Sequence, residues 1–105
     1  MISLPHYSIN KLEQELKEIV ASELKEKSYE LFFFGSRVKG VGDDRSDIDV
    51  GFYNKEGIVD RAKYNIKEKI ENIRTLYSID FVDFSKVDKE FKALVFQNRE
   101  VFYEC

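Results

Sequence analysis

A chain of 105 residues, 43% hydrophobic with nine Phe and six Tyr, has material for one domain and a single core, and one Pro and five Gly are too few for a disordered chain. Its net charge of -3 weighs against a general nucleic-acid surface, and the lone cysteine, Cys105, excludes an internal disulfide. No run reaches the roughly 20 apolar residues needed to cross a bilayer, and the opening MISLPHYSIN lacks the apolar centre of a secretion signal, so the expectation is a single domain over residues 1–105 in the cytoplasm, without a membrane.

From Asn10 to about Lys27, Leu12, Leu16, Ile19, Val20 and Leu24 recur at helical spacing, with Ser8 or Asn10 available as the cap. The segment YELFFFG is short and aromatic and stops at Gly35, which is the pattern of a buried strand. A loop, SRVKGVG, follows. SDIDVGFY then alternates Ile48, Val50 and Phe52 with Asp47, Asp49 and Gly51, which places the two sets on opposite faces of a second strand.

After the break at NKEG, Ile58, Val59, Ala62, Ile66, Ile70 and Ile73 trace a second amphipathic helix. SIDFVDF reads as a third strand, residues 87–97 as a short helix and EVFYE as a closing strand. This alternation predicts an α/β chain of the α+β type, with helices packed on one face of a small mixed sheet. The first two strands should run antiparallel, because their connection is too short for a crossover helix.

Two aspartates at i and i+2 of a strand share a face, about 6 to 7 Å apart at Cα. With Ile48, Val50 and Phe52 anchored under helices, Asp47 and Asp49 look out from the other side, where two ionised carboxylates are costly without a cation. Parity on the third strand selects a partner: Ile79 and Phe81 are its apolar pair, so Asp80 joins the open face while Asp83 becomes a strand-end or turn residue. Three such carboxylates suit Mg²⁺, and can hold two ions roughly 4 Å apart for phosphoryl transfer. An isolated Asp-x-Asp is more often a solubilising edge strand, and a calcium loop would require a terminal glutamate that is missing here.

What shifts the balance is the preceding turn. Gly35 and Ser36 end a strand in a loop whose backbone N–H groups and hydroxyl suit phosphate oxygens, with Arg37 and Lys39 adding positive charge. The spacing fits neither a Walker loop nor a dinucleotide fingerprint.

GSRVKGVGDDRSDIDV followed by IDFVDF resembles the minimal nucleotidyltransferases of the DNA polymerase beta superfamily, whose pattern is Gly-Ser, a spacer, Ser-Asp-x-Asp, and a later hydrophobic-Asp-hydrophobic strand. The resemblance implies a palm-like nucleotidyltransferase fold, with Gly35 and Ser36 on the nucleotide phosphates and Asp47, Asp49 and Asp80 as the catalytic, metal-binding triad. It implies two Mg²⁺ ions, with Mn²⁺ as an alternative, and ATP as the donor whose AMP passes to an acceptor hydroxyl with release of pyrophosphate. Arg37 and Lys39 transfer less firmly.

Larger relatives carry an acceptor-binding domain for which this chain has no residues to spare. Short members resemble antitoxins paired with a helical HEPN-type ribonuclease toxin, which they silence by attaching AMP to a tyrosine. The expected partners are therefore a nucleoside triphosphate and such a protein, with homo- or hetero-oligomers open. The alternatives are a catalytically silent module that neutralises by contact, and an aminoglycoside-like small-molecule transferase. His6 reads as a surface residue and Cys105 as an unpaired terminal thiol.

Overall fold

The computed structural model describes residues 4, 7–25, 28–39 and 47–105, with the backbone alone at Ser36 and Lys39. Eight elements follow one another: α1 (Ile9–Glu23), β1 (Glu30–Phe34), α2 (Ser36–Lys39), β2 (Ile48–Tyr53), α3 (Asp60–Glu71), β3 (Ile79–Asp83), α4 (Lys89–Phe96) and β4 (Glu100–Glu104). Ser8 caps α1 by accepting from the Lys11 N–H at 3.3 Å, and Asp88 caps α4 by accepting from the Phe91 N–H at 3.3 Å. The first helix ends at Glu23, four residues before the expected boundary, because Leu24 turns to an extended backbone. His6 lies outside the described residues.

The four strands form a sheet in the order β3-β2-β1-β4. β1 pairs antiparallel with both β2 and β4, whereas β2 and β3 are parallel and joined across α3, so the sheet is mixed as expected. At the β1–β4 edge, Arg99 meets Glu30 at 2.6 Å while its guanidinium lies 4.0 Å from the centre of the Phe96 ring.

The alternation within each strand divides the apolar residues between two faces. Leu31, Phe33, Val50, Phe52 and Phe81 pack with Leu12, Leu16 and Val20 of α1 and Ala62, Ile66 and Ile70 of α3 in the main core. α1 and α3 are further tied by Lys69, which meets Glu23 at 2.7 Å.

The second face carries a smaller aromatic cluster of Phe32, Phe34 and Phe84, flanked by Val87, Val95 and Phe96. Gly51 makes this possible: it sits opposite Phe32, and a Cβ there would fall 2.2 Å from Cε2 of that ring. The face expected to be open is thus roofed in part by α4, although none of that helix's own residues is buried.

Candidate functional site

The end of β1 and the beginnings of β2 and β3 lie together, because β2 runs antiparallel to β1 and parallel to β3. Register then decides which side chains meet. Phe34 is opposite Asp49, and Asp49 is opposite Asp80, so one row across the sheet reads Phe34, Asp49, Asp80 on the second face. Asp47 stands exposed immediately before β2. The parity that picked Asp80 and set Asp83 aside is the one observed.

Asp49 is half-buried and is held above the ordinary carboxylate range, first by burial and then by the negative charges of Asp80 and Asp47. Among the described residues no three acidic, histidine or cysteine side chains are already drawn around a single point. Mutual repulsion of hard oxygen donors at one sheet end is nonetheless what a divalent cation relieves, so Asp47, Asp49 and Asp80 fit Mg²⁺ as a donor set.

Gly35 closes β1 with φ of 87°, a backbone conformation that L side chains rarely adopt. A Cβ on it would fall 2.2 Å from Oδ2 of Asp49, so glycine is required for the conformation and again for the carboxylate's space. The chain then enters α2, a single turn that the sequence reading took for loop because four residues are too few to show a helical period. The side chains of Ser36 and Lys39, two of the phosphate-binding candidates, and residues 40–46 lie outside the described part of the structure.

Arg37, expected to add charge to the phosphate turn, has its guanidinium 4.7 Å from the centre of the Tyr77 ring. This contact fastens α2 to the approach to β3, and Tyr77 had no signal in the sequence because the pairing spans 40 positions of chain. Asp83 is buried at the far end of β3. It accepts from the Ser85 N–H at 3.0 Å, the Ser85 hydroxyl at 2.7 Å and the Ile58 N–H at 3.3 Å, which makes it the strand-end residue expected and keeps it off the site. A hollow of about 420 Å³ at the other end of the sheet, lined by Tyr29, Tyr53, Asn54 and Cys105 among others, contains none of the three aspartates. The donor chemistry, not cavity size, locates the site.

The chain is 27% identical over 67 residues to the probable protein adenylyltransferase MntA of Haemophilus influenzae, a match covering 64% of this chain and 59% of that protein, so it spans about three fifths of the relative's length. A solved toxin–antitoxin with AMP-PNP superposes with a TM-score of 0.71 at 17% identity, over 89% of this chain and 73% of that one. A solved complex of the tri-AMPylated Shewanella oneidensis HEPN toxin with an MNT antitoxin superposes with a TM-score of 0.68 at 14% identity, over 91% and 72%. At those identities the two structures establish the fold. The family model described as polymerase beta, nucleotidyltransferase matches residues 14–105, which include Gly35 and all three aspartates, and the chain belongs to that family.

Proposed function

We propose that this chain is a metal-dependent nucleotidyltransferase that passes AMP from ATP to a hydroxyl group on a HEPN-type partner protein, as the antitoxin of such a pair. The observation carrying the reading is the pairing of Asp49 with Asp80 across β2 and β3, with Asp47 just before β2, at the sheet end closed by Gly35. The curated relative is named a protein adenylyltransferase, and the toxin in one structural neighbour is tri-AMPylated, which supports AMP and a protein acceptor. Among the described residues no helix is long and apolar enough to cross a membrane.

In this mechanism the glycine turn lets the triphosphate approach the backbone, with Ser36, Arg37 and Lys39 supplying further contacts at the β- and γ-phosphates. Asp47, Asp49 and Asp80 would hold Mg²⁺, which supplies neutralisation of charge on the phosphoryl oxygens. Asp80, on the strand beyond the other two, takes the proton of the acceptor hydroxyl. The acceptor oxygen bonds to the α-phosphorus, the bond from that phosphorus to the bridging oxygen breaks, and pyrophosphate leaves.

The test is incubation of the purified chain with Mg²⁺ and α-labelled nucleoside triphosphates in lysate of its own cells, beside the Asp47→Ala/Asp49→Ala variant. A labelled protein band that requires both aspartates is the expected result. Label in a small-molecule or nucleic-acid fraction would replace the acceptor, and no label with the partner present would leave neutralisation by contact.

A further inference from the structure

α2 is a single turn of four residues, too short to hold itself by its own backbone bonds, so its place depends on what its side chains grip. Val38 packs against the main core, and the Arg37 guanidinium stands over the Tyr77 ring, 4.7 Å from its centre. A ring face attracts the cation through its quadrupole, and that contact does not itself occupy the planar fork of N–H donors with which arginine meets phosphate oxygens.

Tyr77 is fixed in its turn. Its N–H donates to the Thr75 hydroxyl oxygen at 3.2 Å, and its side chain is half-buried against the main core. One residue on, the Ser78 carbonyl accepts from the Ile48 N–H at 2.8 Å, and Ile79 pairs with Ile48 in the parallel ladder. Ile48 lies between Asp47 and Asp49, and Tyr77 is three positions before Asp80. The ring beneath Arg37 is therefore stitched to the strand starts that carry all three aspartates. Through it, the turn at the end of β1 and the carboxylates of β2 and β3 share one frame. Phosphoryl transfer is sensitive to that frame, because a misplacement of about 1 Å between reacting groups costs on the order of 10²-fold in rate. An arginine already held against a ring also loses less side-chain freedom when a phosphate arrives.

We infer that Tyr77 is a positioning residue, whose ring holds the Arg37 guanidinium where the β- and γ-phosphates of the donor bind, in fixed relation to the aspartates. The inference rests on the nucleotidyltransferase reading above and adds to it the residue that sets Arg37.

Calorimetric titration of the full chain in Mg²⁺ with ATP and inorganic tripolyphosphate tests it, using the wild type, Tyr77→Phe, Tyr77→Leu, Arg37→Ala and the Arg37→Ala/Tyr77→Leu double variant, each with its melting curve. Tyr77→Leu keeps apolar bulk but has no ring face, and should weaken both ligands about tenfold, whereas Tyr77→Phe should stay within about twofold of the wild type. In the Arg37→Ala background, Tyr77→Leu should cost no more than about twofold further. An equal loss from Tyr77→Leu with and without Arg37 would make Tyr77 a packing residue and overturn the inference, as would a loss in Tyr77→Phe equal to that in Tyr77→Leu. Where Tyr77→Leu lowers the melting temperature, the wild type alone decides: NMR should show the ring-current shift of the Arg37 side chain persisting when tripolyphosphate binds, and its disappearance would overturn the inference. ATP binding left unchanged by Tyr77→Leu would remove the inference and leave the nucleotidyltransferase reading intact. A wild-type chain that binds neither ligand would overturn the reading and the inference together.

Discussion

Gly35 and Asp49 leave no room for each other to grow. Replacing Gly35 by Ala forces a side chain into a left-handed backbone conformation, at about 1–2 kcal/mol, and pushes a methyl group into the space of the Asp49 carboxyl group. Denaturant unfolding of Gly35→Ala should show at least that loss, together with loss of the proposed AMP transfer.

Asp49 shows the opposite trade. Its folded pKa is raised, so below the unfolded value both states are protonated and nothing is lost. Stability then falls as pH rises from the unfolded value to the folded one, where only the unfolded chain has released the proton, and the loss stays constant above the folded value. In metal-free buffer at neutral pH, Asp49→Asn should therefore melt a few degrees higher than the wild type while losing the proposed transfer activity. A lower melting temperature would mean that the carboxylate is satisfied without a cation.

Among the elements, α1 and α3 bury a stripe of side chains each against the sheet, whereas α4 rests on it through residues that stay partly exposed. Native-state hydrogen exchange should find the amides of β1 and β2 slowest and those of α4 among the first to exchange. If α4 exchanges as slowly as β1, the second aromatic cluster is a stronger anchor than its burial indicates. Within the sheet, Gly51→Ala should cost about 1–3 kcal/mol by overpacking against Phe32. By contrast, Lys69→Ala breaks a partly exposed ion pair between α1 and α3 and should cost about 1 kcal/mol or less. Thermal melts of the two variants side by side would rank them.

For the whole molecule, a cation that binds only the folded state adds stability by mass action, about 2.7 kcal/mol at one hundred times its dissociation constant. Mg²⁺ should raise the melting temperature of the wild type and leave that of Asp47→Asn/Asp49→Asn unmoved. A rise of equal size in both would place the ion away from these aspartates.

Much of this architecture was legible in the chain because it depends on local periods. The alternation of Ile48, Val50 and Phe52 with Asp47, Asp49 and Gly51 determined the strand's two faces, and the same parity picked Asp80 over Asp83 before any strand was placed. Tertiary structure alone decided which residues meet across chain distance. Register set Phe34 beside Asp49, a ring contact drew Arg37 to Tyr77, and the packing of α4 covered the second aromatic cluster and formed a cavity at Gly35. Periodicity is a property of neighbours in sequence, whereas register and packing are settled by many weak contacts between distant segments, which no single segment records.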